Sequence, residues 1–309
     1  MAQDPPPPKR RHPLEAPPPR PPAPPLTQDN TPGAGDGSLR ARVPLGPNQI
    51  LLRIPTVRPN ITHILIAINV AIFVLRAFSI SLDTQLVEWG ANNQTAVLLD
   101  AQFHRLFTSM FLHSGIYDQL GRFQFENALH LVFNMYALWI IGAPQERMFG
   151  HVRFGLIYLL GGLTGSVASA LLGDPNAYSI GASGAVFAIF GAEFVFWYRH
   201  RKLFGRAGQA RLRSLALLLV INLGFGLLAN AGGGAFQIDN LAHIGGLAGG
   251  LILTWFLGPY YNLRRDATKP MEFIAEDTNP LRNNFAVVVL YSSALLLALI
   301  VGRLLIVGG

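Results

Sequence analysis

Seven mostly apolar runs of near-membrane length, at roughly residues 62–81, 128–143, 153–172, 181–198, 214–231, 241–258 and 284–307, restrict what this chain can become. A run of about 18 apolar residues crosses the hydrocarbon core as a helix. Lipid offers no partner to an open backbone, so helices are one of only two spanning solutions. The chain has 309 residues, of which 50% are hydrophobic and 13% charged. Its mean hydropathy is +0.34 even though its first 50 or so residues are polar. This predicts an all-α fold, a polytopic membrane helix bundle of seven spans, the seventh transmembrane helix lying at the C-terminal end.

Three segments follow. Residues 1–58 hold Pro5 to Pro8, Pro17 to Pro19 and the Lys9-Arg10-Arg11 cluster, a composition that cannot bury a core and predicts a disordered, basic cytoplasmic tail. A solvated tether is favoured for it over a proline-rich ligand. Residues 59–260 form the six-helix core, and residues 261–309 a cytoplasmic connection and the last span. The 199–213 connection carries Arg199, Arg201, Lys202, Arg206, Arg211 and Arg213 with no acidic residue, a cytoplasmic signature under the positive-inside rule. Counting spans back puts the N-terminus on the same side, and an odd number of spans puts Gly309 outside.

Cysteine is absent, which excludes disulfides, thiolate zinc sites and a cysteine nucleophile. No cofactor and no metal site are expected. The net charge of +7 lies in the tail and beside apolar runs, so membrane lipid and not nucleic acid is its expected partner.

Polar groups at membrane depth are costly and mark function. With the orientation above, the second, fourth and sixth spans all begin at the outer face. Ser183, His243, His130 and Asn134 then occupy one depth, as a nucleophile, a base and oxyanion donors must. His130 and Asn134 are spaced i, i+4 and share a helix face. Ser183 lies at a helix N-terminus, where unpaired N–H groups favour a developing oxyanion. Gly181 and Gly184 remove side chains on both sides of it. The Gly181-Ala-Ser183-Gly184-Ala185 string differs from the G-x-S-x-G elbow of soluble hydrolases. His130 is followed by Leu131, so it opens no H-E-x-x-H zinc helix.

At these residues the chain resembles the rhomboid family of intramembrane serine proteases over about residues 100–260. The marks are Arg105 in Phe103-His104-Arg105-Leu106-Phe107, His113, His130-x-x-x-Asn134, Gly142, Glu146-Arg147, Gly181-x-Ser183-Gly184 and His243-x-x-Gly246-x-x-x-Gly250. The resemblance implies that Ser183 is the nucleophile and His243 its base. It implies an oxyanion hole of His130, Asn134 and the Ser183 amide, and an aromatic, Phe187, stacked on the base. Gly246 and Gly250 match a close-packing strip, and Glu146 and Arg147 a structural polar pair. His104 stands where the family usually has an aromatic. Sixteen residues separate His113 from His130, so Tyr117 to Glu126 resemble an insertion above the site. A tolerated loop is favoured for it over a gate or a substrate contact. The C-terminal seventh span resembles secretase-type members.

The expectation is therefore a serine endopeptidase cleaving single-spanning transmembrane proteins near their outer membrane boundary. It is expected in the plasma membrane, a bacterial cell membrane included. The alternative is a proteolytically silent binder of membrane helices. A transporter is the third possibility, and it would need an aqueous path to the inner side.

Overall fold

The computed structural model describes residues 38–45, 48–117, 122, 124–231, 238–269 and 272–308. Among the described residues, ten α-helices and four strands occur in the order β1 (Ser38–Leu45), β2 (Asn48–Pro55), α1 (Asn60–Ala77), α2 (Ile80–Gly90), α3 (Arg105–Thr108), α4 (Phe125–Ala137), α5 (Ala143–Phe149), α6 (His151–Leu172), α7 (Ser183–Arg199), α8 (Arg201–Ala231), α9 (Asn240–Leu257), β3 (Tyr261–Arg265), β4 (Glu272–Asp277) and α10 (Phe285–Val307). The chain is a mostly helical, polytopic membrane bundle. Among the described residues, five helical segments (α1, α6, α8, α9 and the Leu281–Val307 segment containing α10) are long and apolar enough to cross a membrane alone. The other two expected spans are built differently. The second is α4, a π-helical turn (Leu138–Gly142) and α5 in continuous succession, and the fourth, α7, is 17 residues long. Twelve of the 17 residues of α7 are buried by its neighbours, so protein covers most of this span.

Helices α6, α7 and α9 form the core. A Cβ on Gly246 would fall on the Gly184 carbonyl oxygen, and one on Gly250 on that of Ala188. The backbones of α9 and α7 therefore touch along one i, i+4 strip, the small-residue packing used between membrane helices. From the other side, a Cβ on Gly165 would lie 2.5 Å from the Ala242 oxygen, which draws α6 against α9. Helix α10 packs outside α6, where Tyr291 Oη and Thr164 Oγ1 hydrogen-bond at 2.6 Å.

One expectation about the non-helical segments needs correction. The tail expected to be disordered over 1–58 contains β1 and β2, while residues 1–37 lie outside the described residues. The connection after α9 supplies β3 and β4. The four strands form one sheet in the order β1-β2-β4-β3, with β2 and β4 parallel and the outer pairs antiparallel. Leu39, Ala41 and Val43 alternate with Arg40 and Arg42, the period of a strand with one apolar face. Leu52, Ile54, Tyr261 and Ala275 are buried in the same core as the helices. Arg153 at the start of α6 pairs with Asp277 at 2.7 Å, and His200 after α7 accepts the Tyr261 N–H at 2.9 Å. The sheet thus closes the bundle at the end opposite Ser183.

Candidate active site

Ser183 is the first residue of α7, so its N–H is among those a helix start leaves without an intrahelical partner. The approach to it is held by cross-links. Ser179 and Asn92 exchange backbone hydrogen bonds at 2.8 and 3.0 Å, and the Gly181 N–H donates to the Ser109 carbonyl at 2.9 Å. Gly181 has φ +123°, a conformation only glycine adopts without strain. A side chain there would also lie 2.8 Å from His130 Nε2 and 3.8 Å from Ser183 Oγ. The space between serine and histidine is kept open by the absence of that side chain.

His243 lies in the first turn of α9, whose N-cap Asp239 accepts the Ala242 N–H at 2.8 Å. The His243 ring is buried and stacks on Phe187, with centroids 4.2 Å apart and planes within 10°. Phe187 stands one turn along α7 from Ser183. The stack and the Gly246–Gly184 contact therefore bring the imidazole to the mouth of α7. Ser183 Oγ and His243 are not hydrogen-bonded to each other in this state, and His243 Nδ1 is buried without a partner. Catalytic hydrogen bonds are often long before substrate arrives.

His130 receives two bonds from Ser114: the backbone N–H lies 3.4 Å and Oγ 3.2 Å from Nδ1. A backbone N–H can only donate, so Nδ1 is an acceptor and the neutral ring carries its proton on Nε2. That nitrogen faces the empty side of Gly181. Asn134 is buried, and its Nδ2 donates to the His130 carbonyl at 2.8 Å, leaving one amide hydrogen free. Behind the serine, Ser109, Ser166 and Ser179 help wall a cavity of about 10 Å³, room for about one water.

A Rhomboid domain matches residues 100–260, a little over half the chain. The chain belongs to the rhomboid family. It is 37% identical over 205 residues to Rhomboid protease GluP of Bacillus subtilis (strain 168), covering 65% of this chain and 35% of that protein. It is 29% identical over 214 residues to RHOMBOID-like protein 1 of Arabidopsis thaliana, covering 69% of this chain and 50% of that one. Inactive rhomboid protein 1 of Rattus norvegicus is 33% identical over 159 residues, covering 52% of this chain and 16% of that one. The chain spans half or less of the length of these relatives. The family and the apolar helices make it an integral, multi-pass membrane protein.

The remaining rhomboid marks make contacts within the fold. Arg105 is buried and donates to Gln102 Oε1 at 2.6 Å, to the Ala91 carbonyl at 2.8 Å and to the Glu88 carbonyl, which ties α2 to the loop before α3. His104 lies against Trp89, with centroids 4.7 Å apart. His113 is buried beside His130, ring centroids 5.1 Å apart. Glu146 and Arg147 do not pair with each other. Neighbours in a helix face different ways, and Glu146, fully buried, accepts the Ile61 and Thr62 N–H groups at 2.8 and 2.7 Å and the Thr62 hydroxyl at 2.6 Å. Its carboxylate caps the start of α1, where a negative charge is favoured. Arg147 is exposed and offers its carbonyl to the Val57 N–H at 3.1 Å.

Several residues at the site escaped sequence reasoning. Arg76, buried at the end of α1, pairs with Asp83 at 2.7 Å and donates to the His113 carbonyl at 2.6 Å, fixing the strand of backbone that carries Ser114. An arginine closing an apolar run, with an aspartate seven residues on, was its available signal. Ser114 and Asp239 had none beyond their neighbours. Of the proposed insertion, residues 118–121 and 123 lie outside the described residues. Its base is closed by the Gln124 N–H on the Ile116 carbonyl at 2.7 Å. Among the described residues, no group of three or more His, Asp or Glu converges as a metal site.

Proposed function

We propose that this chain is an intramembrane serine endopeptidase that cleaves single-spanning transmembrane proteins near the outer membrane boundary. The observation that carries it is the convergence at one end of the bundle. Ser183 opens α7, His243 is held over α7 by Phe187, and His130 turns a protonated Nε2 toward the gap beside Ser183. Ser183 Oγ attacks the scissile carbonyl, and its proton passes to His243 and on to the leaving amine. Water then releases the acyl group by the reverse sequence. The oxyanion is met by His130 Nε2–H, the Ser183 N–H and the free Asn134 amide hydrogen, donors fixed before the charge develops. Gly181 and Gly184 leave room for the substrate backbone.

The Arg-rich 199–213 segment supports a cytoplasmic position for that end of the bundle and for the sheet, with the serine toward the outside of a plasma or bacterial cell membrane. Purified protein in liposomes, given a single-spanning substrate, is expected to cut it. Ser183→Ala and His243→Ala are expected to abolish cutting, and both should lose fluorophosphonate labelling, which needs the same activated hydroxyl. Equal product from intact protein and Ser183→Ala, or no label and no product from intact, folded protein, would leave the silent helix binder as the answer. Reporter fusions at residues 206 and 309 test the orientation, and finding residue 206 outside reverses it.

A further inference from the structure

We propose an anionic phospholipid site on the lipid-facing side of α7 and α9, distinct from the serine end and independent of whether the chain cleaves peptides. A groove of about 380 Å³ is lined by Phe194, Tyr198, Leu251 and Trp255 among others, with almost no polar surface. It adjoins a second cavity of about 100 Å³ that shares Phe194 and Leu251 and is completed by Phe190, Leu247 and, from α8, Leu215 and Leu219. From Leu247 to Phe256 the two follow α9 for nine residues, about 14 Å at 1.5 Å per residue. That is close to one leaflet of a ~30 Å hydrocarbon core. The groove has the length and polarity of a single acyl chain.

Its mouth is cationic. The Arg199 guanidinium lies 4.7 Å from the Tyr260 centroid and 5.7 Å from that of Trp255, and donates to the Trp255 carbonyl at 2.9 Å. Arg201 lies 4.2 Å from the Tyr198 centroid and donates to that residue's carbonyl at 2.6 Å. Ring faces and carbonyls hold both guanidiniums in place without neutralising them. Neither is within ion-pair distance of a carboxylate among the described residues, and Asp277, the acid beside Tyr260, is paired with Arg153 at 2.7 Å. Two oriented, uncompensated arginines directly above an acyl-length groove match a lipid with a phosphate and a net negative charge. Trp255, Tyr198 and Tyr260 stand at that level, as aromatic residues do at a membrane interface.

The experiment uses the full chain in zwitterionic detergent, with phosphatidylglycerol and phosphatidylcholine of identical acyl chains, read by native mass spectrometry. Phosphatidylglycerol is expected to be retained in preference. Arg199→Gln with Arg201→Gln should weaken that retention about thirtyfold, on roughly 1 kcal/mol for each cation, and leave phosphatidylcholine unchanged. The Arg199→Lys, Arg201→Lys variant keeps the charge and should keep most of the preference. A phosphatidylglycerol with a photoreactive acyl tail should label peptides containing Phe194, Leu251 or Trp255. Soluble glycerol phosphate at equal concentration should not compete. Equal retention of the two lipids, a double Gln variant that binds as before while remaining folded, effective competition by glycerol phosphate, or labelling confined to other helices would each overturn the site. So would crosslinks from this groove to a second protein chain in place of lipid.

Discussion

Helices α9 and α8 are both apolar enough to cross a membrane and have opposite attachments. Of their most apolar windows, 44% of α9 is buried and 11% of α8. Backbone lies on backbone along α9, at Gly246 and Gly250. Helix α8 touches the bundle mainly through side chains: Arg211 with Glu193 of α7 at 2.6 Å, Leu215, and a Gly226 that abuts Asn240. A Cβ on Gly224 of α8 would meet nothing within 4 Å. Gly224 is therefore the opposite of Gly246 and Gly250, an unfilled position where they are required contacts. Ser183 and His243 lie on the tightly packed pair, where relative position is set by backbone distance and not by adaptable side chains.

Substituting the glycines tests this contrast most severely. Gly246→Leu and Gly250→Leu must push α9 off α7 and are expected to cost more than the 1–3 kcal/mol of ordinary overpacking. Cleavage and the thermal transition should be lost together. Gly224→Ala removes a helix-interior glycine with space to spare and should be neutral or stabilising by up to about 1 kcal/mol. If Gly250→Leu is as stable as Gly224→Ala, the backbone strip is not what holds α9.

Truncation makes a similar comparison at the other end. Removing residues 1–55 takes Leu52 and Ile54 out of the core, each worth about 1.5–3 kcal/mol of burial, and leaves β4 without its parallel partner. Removing residues 1–37 should leave stability and cleavage within a few-fold of the full chain. Proteolytic resistance and turnover of the two truncations separate a structural sheet from a dispensable one.

Within the site, His130 and Asn134 are both expected to act on transition-state charge, with unequal effect. Loss of one oxyanion donor costs about 10²–10³ in rate in soluble hydrolases. His130→Ala should reach that range. Asn134→Ala should fall below it, because one amide hydrogen is already spent on the His130 carbonyl. Fluorophosphonate labelling with turnover reads both, and an unimpaired double variant would remove these residues from the chemistry.

Glu193→Gln breaks the link between α7 and α8 while leaving the glycine strip alone. Stability should fall by about 1–3 kcal/mol, below the full cost of orphaning a buried charge because Arg211 is 38% exposed and finds water. Crosslinking between cysteines placed in α7 and α8 should drop, while the same test between α7 and α9 should not change.

A smaller effect is expected from pH. His200 is neutral, donating through Nδ1 to the Phe196 carbonyl at 2.8 Å and accepting the Tyr261 N–H through Nε2. Burial holds its pKa below the usual 6.5, with Arg199 adding to that and the Phe196 carbonyl and Asp277 opposing it. The unfolded chain then binds the proton more readily, so stability is full above about pH 6.5 and declines as pH falls below it. The decline should be reduced in His200→Asn, and an identical pH profile in the two proteins would exonerate this histidine.

The helical spans, the placement of Ser183, His243, His130 and Asn134 near the starts of their helices, and the glycine strip were legible because each is written in local period or in spacing along one helix. An apolar run needs only lipid to explain it, and i, i+4 spacing needs only one helix. The sheet was not legible, since β2 pairs with β4 through Leu51–Glu272 and its neighbours, more than 200 residues apart, from strands too short to announce a partner. The pairing of Glu146 with the start of α1, and not with Arg147, was likewise decided by what α5 meets in space. The same holds for the tautomer of His130. Its residue type was visible as a donor, but the nitrogen that carries the proton is chosen by the Ser114 N–H, which Arg76 and Asp83 hold in place from two other helices. Composition and period determine which segments enter the membrane, because each residue's free energy in lipid is its own. Contacts between distant segments depend on distances that exist only once the helices have packed.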